Sequence, residues 1–265
     1  MRSIELFAGA GGLALGMSRA GFEHRAIIEW DKDACDTIIQ NRRRRIALVG
    51  DWPIPQRIDA RQFDFHTFAA DKISVVSGGP PCQPFSMAGN AQGNLDERDM
   101  FPQAVRAVRE LQPRAFVFEN VKGLLREKFT TYFEYILLQL SYPTLTSRSN
   151  EKWTDHLARL EQHKTAECAP VGLTYNVVFR LLNAANYGVP QKRERVFIVG
   201  FRSDLGIEWN FPDPTHSEEA LQVTKWVTGE YWERHGLSRK KRPEQPVQPG
   251  QHRITEPTSW DWAGV

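Results

Sequence analysis

Cys82 stands in an unusual frame, Gly78-Gly79-Pro80-Pro81-Cys82-Gln83-Pro84-Phe85-Ser86, directly after the apolar run Ile73-Ser74-Val75-Val76-Ser77. Proline fixes φ and withdraws a backbone donor, so the thiol is expected on a stiff loop at the end of a strand. A nucleophilic cysteine needs exposure and a lowered pKa, which such a loop supplies and a core position does not. The alternative, a buried inert thiol, suits Cys35 and Cys168 better. Glu119 follows a second apolar run, Ala115-Phe116-Val117-Phe118. A carboxyl group there can have a raised pKa and act as an acid, although the acid of a helix first turn reads the same way. Gln191-Lys192-Arg193-Glu194-Arg195 precedes a third apolar run. Strand alternation predicts Arg193 and Arg195 on one side, either holding an anion or lining a solvated edge.

A second group of residues suits a nucleoside. Phe7-Ala8-Gly9-Ala10-Gly11-Gly12 lies between a predicted strand and a predicted helix. Glycines there let the backbone approach a ligand at the positive end of the helix. Glu29 ends the next predicted strand, where a carboxylate can accept both ribose hydroxyls, and Asp59 follows a further turn, placed to accept from an adenine amino group. The turn alone would also serve tight packing, with Glu29 as a surface acid. A glycine turn followed by an acid ending the second strand favours the nucleoside.

These residues need a scaffold that gathers loop ends. Up to about residue 200, β-like runs over residues 3–7, 25–29, 73–77, 115–118, 177–182 and 195–199 alternate with helical segments over 13–17, 33–41 and 102–111. That alternation predicts an α/β domain around a largely parallel sheet. Residues 141–170 form a polar insertion with one helix expected over 155–163. After about residue 203 the pattern loses its period; this stretch carries five of the eight Trp and six of the sixteen Pro and reads as irregular.

With 265 residues, 41% of them hydrophobic and 25% charged, the chain can bury a sizeable core. The composition excludes a disordered tail, a collagen-like fibre and a coiled coil. No run approaches the ~18 apolar residues of a membrane span, and Glu5 interrupts the first apolar run, unlike a signal peptide. An odd count of three cysteines argues against a disulfide framework. A soluble, reduced, cytoplasmic protein is expected. The formal net charge of +2 is not that of a dedicated nucleic-acid binder. The basic runs Arg42-Arg43-Arg44-Arg45 and Arg239-Lys240-Lys241-Arg242 read first as solvated surface and second as phosphate contacts.

Taken together and in order, these segments resemble the C5-cytosine DNA methyltransferases over about residues 3–217. The glycine turn is similar to the family's S-adenosylmethionine loop, which makes Phe7, Gly9, Ala10 and Gly12 cofactor contacts. Glu29-Trp30 resembles its ribose and adenine contacts and Asp59, with Ala60, its adenine-binding acid; Pro81 and Met100 complete the set. Gly79-Pro80-Pro81-Cys82-Gln83 is similar to the nucleophile loop, Glu119-Asn120-Val121 to the cytosine-protonating motif, and Gln191-Lys192-Arg193-Glu194-Arg195 to the arginine motif. The resemblance implies a Rossmann-like, S-adenosylmethionine-dependent methyltransferase with helices on both faces of a mostly parallel sheet. It implies a catalytic domain over residues 1–217 and an irregular tail over 218–265. It also implies methyl transfer to C5 of cytosine in double-stranded DNA, with S-adenosylhomocysteine as product. Cys82 would add to C6 of a flipped base, Glu119 would protonate or hydrogen-bond N3, and Arg195 with Arg193 would hold the base oxygen and a phosphate. Gln83, Ser86, Arg98 and Gln191 are expected on DNA, and residues 83–100 are expected to form a mobile lid. The family points to a bacterial or phage cytosol and to no metal.

The family pattern normally continues into a target-recognition region and a C-terminal Gln-x-Gly-Asn segment that closes the cofactor pocket, and neither is recognisable here. Pro212-Asp213-Pro214-Thr215-His216-Ser217 resembles the stretch just after the catalytic block. The larger subunit of a split enzyme, with target recognition on a second polypeptide, is the expectation; a truncated product is the alternative. Three other functions fit less well. A tRNA methyltransferase would carry its own signature after Glu119-Asn120-Val121. A non-catalytic regulatory relative need not keep Cys82, Glu119 and Arg195. A nicotinamide dehydrogenase leaves Pro80-Pro81-Cys82-Gln83 unexplained.

Overall fold

The first strand, β1 (Arg2–Leu6), divides its side chains between the two faces of a sheet. Ile4 and Leu6 enter one core cluster, while Ser3 and Glu5 point the other way. The computed structural model describes residues 1–81, 99–166 and 172–244. Its seven strands lie in the order β3-β2-β1-β4-β5-β7-β6. They are β1, β2 (Glu23–Glu29), β3 (Gln56–Arg57), β4 (Val75–Gly78), β5 (Ala115–Val121), β6 (Tyr175–Asn183) and β7 (Glu194–Arg202). The pairings of β1 with β2 and β4, of β2 with β3, and of β4 with β5 are parallel, whereas β7 runs antiparallel to β5. The helices of this part are α1 (Gly12–Arg19), α2 (Lys32–Arg43), α3 (Phe101–Leu111), α4 (Thr130–Ser141) and α5 (Trp153–Thr165). The core on one face joins Ile4, Leu6, Val76 and Phe116 to buried residues of α3, α4 and α5. The other face packs Ile27 and Val75 against buried residues of α1 and α2. The expected α/β architecture with helices on both faces is therefore present.

Two elements depart from the expectation by position. Strand β3 is only two residues long and follows Pro53 and Pro55, so no alternation marks it. Helix α4 buries Tyr132, Phe133, Tyr135, Ile136, Leu138 and Leu140. Apolar residues on nearly every side leave no amphipathic period to read. The helix expected in the polar insertion is α5, and part of that insertion lies outside the described residues.

The chain divides into two compact units, residues 1–181 with 195–210 and residues 182–194 with 211–265. In the second, the stretch expected to be irregular holds α6 (Glu218–Trp226) and α7 (Glu230–Arg234). The start signal for α6 is Ser217, whose hydroxyl accepts from the Ala220 N–H at 3.1 Å, followed by Glu218 and Glu219 in the first turn. Trp226 and Trp232 pack with ring centroids 5.4 Å apart, and the Trp232 indole donates to the Lys225 carbonyl at 2.6 Å. Aromatic packing between these short helices takes the place of a periodic apolar face.

Glu5 carries a buried carboxyl on β1. It is fully buried beside its register partner Ser77, whose hydroxyl donates to Glu5 Oε2, while Glu5 Oε1 has no partner among the described residues. Burial pushes the carboxyl up to about 8, against the Ser77 hydrogen bond, which works the other way. The unfolded chain releases this proton near 4.5, the folded chain only near 8, so stability falls as pH rises through that window. We expect Glu5→Gln to flatten the slope in urea denaturation midpoints between about pH 5 and about pH 8. An unchanged slope would show that another group carries it.

Candidate active site

The carboxyl ends of parallel strands β3, β2, β1 and β4 form one continuous edge, and the loops leaving it carry the expected nucleoside contacts. The strand order reverses at β1, running to β2 and β3 on one side and to β4 and β5 on the other, the place where open α/β sheets hold ligands. Leaving β1, Phe7 (φ 53°), Gly9 (φ 53°) and Gly11 (φ 91°) all adopt left-handed backbone. At Gly11 a Cβ would also lie 2.7 Å from the Trp52 ring, so the turn is pressed onto the side chain beneath it. A Cβ on Gly9 or Gly12 would meet nothing within 4 Å: on this side the backbone faces open space at the start of α1. This is a cradle for a ligand that uses main-chain donors.

Glu29 ends β2 and is buried. Its Oε2 accepts from the Gly9 N–H at 2.7 Å, and its Oε1 accepts from the N–H groups of Trp30 and Asp31, both at 2.8 Å. A carboxylate offers about four acceptor directions, so these three bonds leave about one for a ribose hydroxyl. Glu29 is first the residue that ties the glycine turn to the second strand. Trp30, next along, is 70% exposed, an uncommon position for an indole and a platform for a flat base. Asp59 caps a short turn that begins at the buried Ala60, and Arg61 holds it with an ion pair at 2.6 Å. That guanidinium keeps the Asp59 carboxyl below the usual range, and an adenine amino group would share it. We expect Glu29→Ala to weaken S-adenosylmethionine binding by at least about tenfold, since three charge-assisted bonds go with it. Unchanged affinity by calorimetry would remove Glu29 from the cofactor site.

Between β4 and α3 the chain passes through the proline frame. Gly78 has no room for a side chain, because a Cβ would sit 2.3 Å from the Leu6 carbonyl oxygen. Pro81 and Met100 are joined by a hydrogen bond from the Met100 N–H to the Pro81 carbonyl at 3.1 Å. Cys82, Gln83, Ser86 and Arg98, with most of the expected lid, lie outside the described residues.

Glu119 lies near the end of β5, and Val121 stands opposite Arg195 in the antiparallel register with β7. The Arg195 Nε donates to Glu119 Oε1 at 2.7 Å; both side chains are about one-quarter exposed, at 24% and 26%. Because β7 runs antiparallel, its first residues reach the same edge as the last residues of β5. A residue that the sequence left without a role links this pair to the proline frame. The buried Asn120 donates from Nδ2 to the Pro80 carbonyl at 2.9 Å and accepts from the Val121 N–H at 2.9 Å. Gly79 completes the link, since a Cβ there would lie 3.4 Å from Glu119 Oε2.

Gln191 and Arg193 belong to the second unit. Arg193 precedes β7, so the alternation that would pair it with Arg195 does not reach it. Instead its N–H donates to Asn183 Oδ1 at 3.2 Å, its carbonyl accepts from the Ala184 N–H at 2.9 Å, and its side chain is exposed. Among the described residues no helix is long and apolar enough to cross a membrane.

A family model described as C-5 cytosine-specific DNA methylase matches residues 1–142 and 156–257. The type II methyltransferase M.NgoMIV of Neisseria gonorrhoeae is 37% identical over 221 residues, covering 83% of this chain and 58% of that protein. M.AquIA of Picosynechococcus sp. is 36% identical over 224 residues, covering 83% of this chain and 79% of that protein. This chain thus spans little more than half of one relative and about four-fifths of the other. Among solved structures, a prophage-encoded DNA modification methyltransferase of E. coli aligns with a TM-score of 0.53 at 25% identity, covering 79% of this chain and 49% of that one. The Entamoeba histolytica methyltransferase EhMeth shares the fold, with a TM-score of 0.50 at 13% identity, covering 84% of this chain and 59% of that one.

Proposed function

The chain belongs to the C-5 cytosine-specific DNA methylase family, whose members draw their methyl group from S-adenosylmethionine, and we propose that it carries out the chemical steps of cytosine-C5 methylation in DNA. The observation that carries the reading is the shared sheet edge. The glycine cradle, Glu29 and Trp30 meet there with a proline frame tied by Asn120 to the Glu119–Arg195 pair.

Cytosine C5 is too poor a nucleophile to be methylated directly. In this reading the Cys82 thiolate forms a bond to C6, and the C5–C6 electron pair shifts toward N3 as Glu119 delivers its proton there. Arg195 keeps the Glu119 carboxyl in place and faces the base oxygen; Arg193 takes a nearby phosphate. Once Glu119 takes the N3 proton back, the electron pair becomes available at C5 for transfer. S-adenosylmethionine supplies the electrophilic methyl group when bound. Phe7, Gly9, Ala10, Gly12, Trp30, Asp59, Ala60, Pro81 and Met100, with Glu29 behind the turn, would hold it. Loss of the C5 proton to solvent and departure of the Cys82 thiolate restore the ring. Gln83, Ser86, Arg98 and Gln191 would contact double-stranded DNA around a base drawn out of the stack, an unpairing that costs about a few kcal/mol.

The finer part of the reading is that a second polypeptide supplies target recognition and closes the cofactor pocket. Its support is in the sequence, where the family's target-recognition region and Gln-x-Gly-Asn segment are not recognisable. Labelled methyl transfer to double-stranded DNA and to tRNA, by the chain alone and mixed with a candidate partner, tests both parts. Transfer to DNA that needs the partner is expected. Full site-specific activity from the lone chain would reject the second polypeptide, and transfer to tRNA alone would reject the DNA substrate.

A further inference from the structure

Asp99 is one of the few buried carboxylates, and it stands beside the described end of the nucleophile segment. Its Oδ1 accepts from the Phe101 N–H at 3.1 Å, at the start of α3. Its Oδ2 accepts a hydrogen bond from the hydroxyl of Tyr132, a buried side chain on α4. Met100 lies between the two residues joined by the first of these bonds. Its carbonyl accepts from the N–H groups of Gln103 and Ala104 at 3.0 and 3.2 Å, and its own N–H donates to the Pro81 carbonyl at 3.1 Å. The bonds therefore run without a gap from Tyr132 through Asp99 and the Asp99-Met100-Phe101 backbone to Pro81. Pro81 is bonded directly to Cys82.

We propose that the Tyr132 hydroxyl is a positioning group for the nucleophile: through Asp99 it fixes Met100, and through the Met100 N–H it fixes the peptide carbonyl that precedes Cys82. The inference rests on the reading of Cys82 as nucleophile. The effect of Tyr132 passes through Asp99, the acceptor of its hydroxyl. The aromatic cluster behind it holds the hydroxyl in place. The Tyr132 ring packs against Trp153 of α5 with centroids 6.4 Å apart and against Tyr135 at 6.3 Å. Tyr135 serves as an internal control: it is equally buried in the same cluster, but its hydroxyl meets His156 Nδ1 at 2.8 Å and leads away from Asp99.

The test compares Tyr132→Phe with Tyr135→Phe, each removing one buried hydroxyl and keeping the ring. The readouts are the rate of covalent capture of 5-fluorocytosine DNA, the affinity for that DNA, and the thermal midpoint. The protein is used in whichever form sustains turnover, the chain alone or with its recognition partner. Tyr132→Phe is expected to slow capture about tenfold with DNA affinity unchanged, because small misplacements of a reacting group are costly. Tyr135→Phe is expected to lower the thermal midpoint at least as much and to capture at the unaltered rate. Capture by Tyr132→Phe at the unaltered rate, or equal slowing by both variants, would overturn the positioning role. No adduct with the unaltered protein would overturn the Cys82 reading, and this inference with it.

Discussion

Cys82→Ser is expected to abolish methyl transfer, by more than about a thousandfold, while S-adenosylmethionine still binds with unchanged affinity. The two parts of this expectation come from different places on the sheet edge. In the proposed function, affinity for the cofactor depends on the turn after β1 and on the ends of β2 and β3, where Gly9, Glu29, Trp30 and Asp59 stand. Methyl transfer, in the same proposal, depends on a thiolate adding to the ring. A serine hydroxyl is slightly smaller, so it fits the same place, but it is not ionised near neutral pH and is a far poorer nucleophile there. Calorimetry and labelled methyl transfer on the same purified variant separate the two. Retained turnover would sink the nucleophile assignment, whereas lost binding would mean that the substitution had disturbed the fold.

Glu119→Gln is expected to lower the methyl-transfer rate by about 10² to 10⁴, the usual contribution of a positioned acid. Glutamine keeps the shape and can still donate a hydrogen bond, but it delivers no proton and breaks the ion pair with Arg195. Single-turnover transfer, with cofactor affinity measured alongside, reads this directly. A rate within about threefold of the unaltered protein would leave the carboxyl with the structural role of anchoring Arg195. The Asn120 bond to Pro80 comes from the next residue on the same strand, so this experiment also bears on how firmly β5 holds the proline frame.

The parallel part of the sheet, β3 apart, was legible because its strands are short apolar runs closed by a turn residue. Gly78 is the sharpest case: the sequence marks it as a stop, and the structure shows that a Cβ would collide with the Leu6 carbonyl. Positions along the chain also foretold which loops share an edge, because successive parallel strands deliver their carboxyl ends to one side. The bonds among site residues could not be read in the same way. Glu29 reads in sequence as an open ribose acceptor, yet its oxygens are largely taken by the N–H groups of Gly9, Trp30 and Asp31. Arg61, two residues beyond Asp59, has no signature at all and pairs with it through the tight turn. Arg193 and Arg195 look equivalent by alternation, but the strand begins at Glu194 and separates their surroundings. Tight-turn geometry decides the contacts of Asp59 and most of those of Glu29, and the pairing of β1 with β2 brings Gly9 to Glu29; neither is marked by residue type. The helices at 218–234 failed to show for a simpler reason: they are short, and Trp packing rather than a periodic face stabilises them.

In the proposed function Cys82 bonds covalently to C6 of cytosine. Fluorine at C5 cannot leave as a cation, so the final elimination fails and the adduct persists. Incubating the protein with S-adenosylmethionine and 5-fluorocytosine duplex DNA, together with its recognition partner where turnover requires one, should give a protein–DNA species stable to denaturation. Peptide mapping by mass spectrometry should place the attachment on the peptide containing Cys82. Attachment at Cys35 or Cys168, or no adduct under conditions where the same protein methylates ordinary cytosine, would contradict the account.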